Sequence, residues 1–301
     1  MGRRAASPAG GPVAAYDGTD SRPSLRARWL ASRMRQLRDD QGLARRFVTA
    51  HLDVDLSEFG RFERGEHAFT RERVNALLDV YRVHDPDERD LLLRLAQAVW
   101  QSGSELDFDG AVPDASFADL LWLESHATHI RCYSPLSIPD LLHTPSHAEQ
   151  TARSAAGITA GQERIAAWQR LTADRQQRLD LHPERVELTV VMDACALSRP
   201  VGSPRGWQDQ LDHIRQAATL PNVTIRVLPT DVPRPTAVDG AFSIFDLPSR
   251  YPAPQVVHIP YLGGRLFLED SHAHATAFEH LYRVASDVDQ PTIRIPSEQE
   301  R

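Results

Sequence analysis

Lysine is missing from this 301-residue chain, whose 34 basic residues are all arginine. A phosphate-binding loop ending in Gly-Lys-Ser/Thr is therefore excluded, as is Schiff-base catalysis through a lysine amine. The absence also argues against a protein kinase, which pairs its nucleotide phosphates with a lysine. Cysteine is scarce: Cys132 and Cys195 lie far apart in a chain with no secretion signal, which favours buried reduced thiols over a disulfide. No apolar run approaches the roughly 20 residues that span a bilayer. The opening Met1-Gly-Arg-Arg, followed by Ala, Ser, Pro and Gly, lacks the apolar stretch of a signal peptide. A soluble, cytoplasmic protein without membrane association is the expectation.

What is present suits a folded chain of more than one domain. Hydrophobic residues make up 41% and charged residues 25%, ordinary globular values, and the length suits a small module plus a larger one. The net charge of -7 is unlike that of a general nucleic-acid binder, but its distribution is uneven. Residues 25–52 hold seven Arg against two Asp, and residues 53–68 hold five acids against two Arg. The basic surface is local.

Residues 1–24, rich in Ala, Gly, Pro, Ser and Arg without periodicity, read as a disordered arm. Ser24 is placed to cap a first helix. Apolar residues then recur at helical spacing in five groups, around Leu30, Met34 and Leu37; Phe47, Val48 and Leu52; Phe59 and Phe62; Val74, Leu77, Leu78 and Tyr81; and Leu91, Leu92, Leu95 and Val99. An α bundle of five helices over 25–101 follows, its last helix opened by Asp85-Pro86. Residues 102–116 read as a linker. From 117 to 286 the periodicity is mixed: helices over 117–127, 162–181, 207–218 and 271–284, and strands over 186–192, 223–228, 242–247, 255–259 and 265–268. An α+β domain with one small sheet is expected there, followed by a polar tail over 287–301.

Residues 36–65 carry gap-free helix-turn-helix spacing, which places a second short helix where it can enter a DNA major groove. Gly42-Leu43 opens the second helix, Leu52 and Val54 flank the turn, and Arg61-Phe62-Glu63-Arg64-Gly65 closes the third. Residues 33–83 thus resemble lambda-repressor-like regulators of the xenobiotic-response-element (XRE) class. The lettering departs at Ala44 and Arg45, Thr49, Asp53 in place of the turn Gly, and Gly60 in place of a recognition-helix Ser. Asp tolerates a left-handed turn less easily than Gly, and a mid-helix Gly costs about 1 kcal/mol against Ala. The resemblance implies double-stranded DNA as partner, Ser57 and Arg61 as readers of base edges, and Arg45 and Arg64 as phosphate contacts, with Arg46 in the same DNA-binding set. Arg61 can bond guanine O6 and N7 together; the competing reading pairs it with Glu58 or Glu63 on a solvated helix face. Asp55 and Glu58 suit the helix N-terminus but would repel phosphates nearby.

The remainder, about 117–286, resembles the C-terminal half of actinobacterial helix-turn-helix regulators described as antitoxin-like, a domain often labelled as of unknown function. Matching blocks include Glu124, Ile130-Arg131-x-Tyr133-x-Pro135, Ile138-Pro139-x-Leu141-Leu142-x-Thr144, Leu197-x-Arg199-Pro200-Val201-Gly202 and Leu266-Phe267-Leu268-Glu269. Departures stand at Asp140, His143, His147, Ala194 and His258 with Pro260. The resemblance implies a domain that binds a small molecule or a small partner protein encoded nearby. Arg131, Tyr133, Arg199 and Glu269 are its candidate polar contacts, or else residues that hold the sheet and helices together.

Other chemistry is thinly supported. His126 with His129 and His143 with His147 have helical metal-ligand spacing, but no Cys, Asp or Glu completes either set, so no metal or cofactor is expected. Cys195 follows Asp193 at a strand end without a protease or esterase signature and reads as a small buried hydrophobe. Trp168, Trp207 and Tyr261 could line an apolar pocket, yet aromatic residues at such intervals are more often core. A sequence-specific, homodimeric DNA-binding transcriptional regulator, not an enzyme, is the reading that results. The alternative is a protein-interaction module whose degenerate helix-turn-helix no longer reads DNA.

Overall fold

The computed structural model describes residues 23–101, 115–156, 162–181, 186–231, 240–261 and 264–288. The arm up to residue 22, most of the linker and the tail beyond 288 lie outside them. The described chain forms two compact units, residues 23–101 with 115–119 and residues 120–288.

The first unit is a bundle of α1 (Leu25–Asp40), α2 (Arg45–Leu52), α3 (Leu56–Glu63), α4 (Arg71–Val80) and α5 (Pro86–Gln101). Side chains fix where these helices begin. Ser24 Oγ accepts from the Ala27 N–H at 3.2 Å, Asp55 Oδ1 from Glu58 at 2.7 Å and Thr70 Oγ1 from Arg73 at 3.3 Å. Pro86, the first residue of α5, follows Asp85, whose Oδ1 accepts from Asp87 at 3.0 Å. Their inner faces bury Trp29, Leu30, Met34, Val48, Phe59, Phe62, Val74, Leu77 and Leu95.

One boundary differs from the sequence reading. Gly42-Leu43 does not open α2; it closes α1. Gly42 has φ +60°, its N–H donates to Asp39 at 2.9 Å and the Leu43 N–H to Arg38 at 3.1 Å, the paired bonds of a helix C-terminus. Helix α2 starts at Arg45. The turn after it does use Asp53 in a left-handed conformation, φ 51°.

The second unit is built on a seven-stranded sheet in the order β6-β5-β4-β1-β2-β3-β7. In chain order, α6 (Ala115–His126), whose first residues belong to the first unit, leads to β1 (His129–Ser134) and a 3-10 turn (Asp140–Leu142). Next come α7 (Pro145–Ala156), α8 (Gln162–Leu181), β2 (Glu187–Asp193), α9 (Ala194–Ser198), α10 (Pro204–Ala217) and β3 (Val223–Leu228). β4 (Phe242–Asp246), β5 (Gln255–Tyr261), β6 (Gly264–Leu268), α11 (His272–Val284) and β7 (Ser286–Asp287) complete the unit. β1, β2 and β3 run parallel, which requires long crossovers; the chain supplies α7 and α8 in one and α9 and α10 in the other. The remaining pairings are antiparallel. Tyr133, Val191, Leu228, Phe242, Ile244 and Val257 form one face of the sheet and pack on Phe278 and Leu281 of α11.

Sequence and structure agree on a helical bundle followed by a mixed α+β domain. β1, the 3-10 turn, α7, α9 and β7 were not foreseen. The start of α6 at Ala115 takes in the last residues assigned to the linker, and β7 takes Asp287 from the tail.

Candidate nucleic-acid interface

Helix α3 has two unlike sides. Phe59 and Phe62 point inward and are 0% and 2% exposed; Phe62 stacks on Phe69 with ring centroids 4.1 Å apart. Burial of such rings contributes about 1.5 to 3 kcal/mol each, enough to fix the rotation of an eight-residue helix. Ser57, Arg61 and Arg64 then fall on one outward stripe, at i, i+4 and i+7, and all three are exposed.

Three of the acids around that stripe are engaged by groups of the bundle. Asp55 caps α3. Glu58 accepts from Arg73 at 2.8 Å and lies 3.5 Å from His67. Glu63 is 1% exposed; Arg38 Nε donates to one of its oxygens at 2.6 Å, and Arg45 Nε lies 2.6 Å from the other. Burial works against the Arg38 charge, but the hydrogen bond and charge of Glu63 outweigh it and raise the guanidinium pKa above its ordinary value. Glu63 thereby ties α1, α2 and α3 together. Removing one partner of such a buried pair costs about 3 to 5 kcal/mol, because a charge is left uncompensated.

The expected DNA contacts divide accordingly. Arg46, Ser57 and Arg61 are exposed and make no side-chain hydrogen bond or ion pair among the described residues. Arg61 pairs with neither Glu58 nor Glu63, the competing expectation. Arg45 is held by Glu63 with its side chain 48% exposed, and Arg64 donates twice to Glu66, at 2.7 Å each. Two large apolar side chains also face outward on the motif, Phe47 at 56% and Leu56 at 47% exposed; sequence reasoning had placed Phe47 among the inward residues.

In the second unit the four candidate contacts are not brought together. Arg131 is 9% exposed, donates to Asp246 at 2.8 Å and lies over the Phe278 ring. Tyr133 is fully buried, its hydroxyl 3.4 Å from Asp193. These two hold the sheet and α11 together. Arg199 and Glu269 are exposed, one at the end of α9 and the other after β6. Trp207 is buried whereas Tyr261 is 51% exposed, so they do not share a core.

Both cysteines are free thiols. Burial raises the Cys132 thiol to about 11, and the Cys195 thiol donates to the Pro135 carbonyl at 2.9 Å. Among the described residues no group of three or more His, Cys, Asp or Glu is placed to hold a metal ion, and no helix is long and apolar enough to cross a membrane.

A bundle with an outward arginine-bearing second helix after a tight turn defines a helix-turn-helix domain, and residues 29–92 match a family model described as a helix-turn-helix domain. Residues 117–295 match the model of a domain of unknown function, DUF5753, which covers more than half of the chain; the chain belongs to that family. No curated protein and no solved structure matches it.

Proposed function

We propose that the protein is a sequence-specific DNA-binding transcriptional regulator of the XRE class, acting as a homodimer in the cytoplasm. α3 enters the major groove, Ser57 and Arg61 read base edges, and Arg45, Arg46 and Arg64 contact phosphates. Its DUF5753 domain is the sensing half, antitoxin-like in answering to a small partner protein or ligand, and the chain has no catalytic role. The observation that supports this reading best is the disposition of charge on α3. Its outward stripe carries Ser57, Arg61 and Arg64, while Asp55, Glu58 and Glu63 accept hydrogen bonds from groups of the bundle and the exposed Glu66 is paired with Arg64, so Arg61 is the arginine of the stripe without an ion pair among the described residues. One observation favours a second reading, a protein-interaction module that no longer reads DNA: Phe47 and Leu56 expose apolar surface on the same motif.

Selection of duplexes from a random pool, followed by affinity measurements at several salt concentrations, separates the two. Arg61→Ala is expected to cost about 1 to 3 kcal/mol on the selected duplex and to relax one base position. Arg46→Ala, which disturbs no internal pair, should weaken selected and random duplexes alike and lower the salt slope by about one. Failure of any duplex to be enriched would favour the second reading. Equal losses for Arg61→Ala on selected and random DNA would remove its base-reading role.

A further inference from the structure

The second unit holds a cluster of buried polar groups that the DNA-binding reading does not use. Four side chains within it are at least nine-tenths buried, and each carries a nitrogen without a hydrogen-bond partner within 3.5 Å: His143 Nδ1, His147 Nδ1, Arg175 Nη1 and His258 Nε2. Buried polar atoms are rarely left unmet, and an ordered water or a bound molecule is what ordinarily meets them. At its centre is Asp140. Its Oδ1 is 4.0 Å from His143 Nδ1 and its Oδ2 is 3.6 Å from Arg175 Nη1, both beyond hydrogen-bond length. The Asp140 side chain nevertheless keeps 43% of its surface accessible, so the cluster opens to solvent there. Asp140, His143, His147 and His258 are also among the sequence departures noted above.

The surrounding frame is rigid. The Gln210 side chain accepts from the Thr144 N–H at 2.7 Å and donates to the Leu142 carbonyl at 2.6 Å. Gln176 donates to the His143 carbonyl. Glu124 holds Arg175 by two bonds of 2.8 and 2.7 Å, which leaves Nη1 directed at Asp140. His143 Nε2 lies 2.8 Å from the Ile138 carbonyl and so carries the ring proton; in the neutral ring Nδ1 is then a bare acceptor. Two acceptors, Asp140 and His143 Nδ1, thus stand beside one donor, Arg175 Nη1, whose nearest acceptor is Asp140 at 3.6 Å. Glu124 and Asp140 offset Arg175 and Arg265, whose charges act on the same groups, so no net charge calls for an ionic ligand. His147 places its ring 4.5 Å from that of His143 and 5.8 Å from that of Trp207, and supplies a flat wall.

We propose that the polar cluster at Asp140 binds a small uncharged molecule by an amide edge, its N–H donating to Asp140 and its carbonyl accepting from Arg175 Nη1, with entry beside Asp140 opening His143 Nδ1 and Arg175 Nη1, which are closed to solvent in the ligand-free chain. This deepens the sensing half of the proposed function by giving it a ligand class, and it is independent of the DNA-binding half.

The test uses the full chain and a probe series titrated by calorimetry and ligand-observed NMR: benzamide, nicotinamide and uracil, against acetophenone, benzoate and benzamidinium. The three amides are expected to bind at least tenfold more tightly than the ketone, the anion and the cation. Asp140→Ala, at a part-exposed position, should lower amide affinity at least tenfold. In the unsubstituted chain the His143 Nδ1 nitrogen resonance should move on addition of benzamide and stay in place with acetophenone; this reading decides the matter if the variant does not fold. No binding by any of the three amides at millimolar concentration would overturn the proposal. So would equal binding of acetophenone, or a His143 resonance that ignores benzamide. Duplex affinity measured on the same samples keeps the two readings apart: amide binding lost with duplex binding intact sinks this inference alone.

Discussion

Gly60 and Arg82 each occupy a backbone position better suited to the other kind of residue. Gly60 lies inside α3 with helical geometry, and a Cβ added there would meet only the tip of the Arg64 side chain, at 3.4 Å. Arg82, which is exposed, has φ 54° after α4, where its N–H donates to Asp79 at 3.1 Å and the Val83 N–H to Leu78 at 3.0 Å. That arrangement ordinarily takes Gly, and a left-handed conformation costs a residue with a Cβ about 1 to 2 kcal/mol. Gly60→Ala should therefore stabilise the first unit by about 1 kcal/mol. Arg82→Gly should add about 0.5 to 1 kcal/mol once the greater chain entropy of Gly is deducted. The first gain corresponds to roughly 4 to 8 °C in melting temperature for a domain of this size, and the second to roughly 2 to 8 °C. Circular dichroism melts of the single and double variants check both; a lowered midpoint for either would contradict the geometry.

Neither Arg82 nor the interior charges could be read from residue type. Nothing in the sequence assigned a partner to Arg26 or Asp119, yet they form a buried pair at 2.6 Å between residues 93 apart. Glu63 sits beneath two arginines, and Arg175 is matched with Glu124 across 51 residues. Local spacing carries no trace of such pairs, because a buried charge is tolerated only through a partner that the fold supplies. The Asp140 site was missed for the same reason: its groups come from α7, α8, β5 and the 3-10 turn, and only the fold assembles them.

At the scale of elements, the five bundle helices were legible because each carries an apolar stripe of helical period and all but α2, which starts after Ala44, have a capping side chain. β1 escaped because its alternation includes Arg131, a charged residue that points into the core side and is paired with Asp246. α7 escaped because its buried positions are His147 and Ala148, which make no hydrophobic stripe. The short β7 has two residues, below what a pattern can reveal.

The buried histidines of these elements set an acid limit on the second unit. Burial is the largest influence on all three, lowering His143 below 6.5, His147 to about 4 and His258 to about 3. Arg175 pushes His143 and His258 in the same direction, and Asp140 opposes it. The unfolded chain takes up these protons near pH 6.5 and the folded chain only at lower pH, so stability is fully present above about 6.5 and is lost as pH falls toward 4. Each histidine contributes a slope of up to about 1.4 kcal/mol per pH unit across its window. Urea midpoints measured at steps from pH 7.5 to about 4 should fall accordingly, and His258→Phe should flatten the decline. A midpoint independent of pH over that range would show that the rings are not held neutral by burial.

At the scale of the whole molecule, regulation requires the state of the DUF5753 domain to reach the helix-turn-helix domain as a difference in free energy. A ligand can shift a two-state equilibrium only by its differential affinity for the two states, and the coupling is reciprocal. If the amide site at Asp140 is the sensor, saturating benzamide should change affinity for the selected duplex by some factor, on the order of 5- to 150-fold for couplings of ordinary size. The duplex should change benzamide affinity by the same factor. Both arms can be titrated on the full chain at one salt concentration, since phosphate contacts make any comparison across salt meaningless. Asp140→Ala should leave duplex affinity near its ligand-free value and abolish the response in both directions, whereas Arg61→Ala should weaken the duplex and leave benzamide binding to the free protein unchanged. Unequal factors in the two arms would point to a linked third equilibrium such as dimerisation, which repeating the titrations at several protein concentrations would reveal. Two tight binding events with no effect on one another would leave a DNA-binding protein and a ligand-binding protein sharing one chain, and would end the claim that the DUF5753 domain regulates through this cluster.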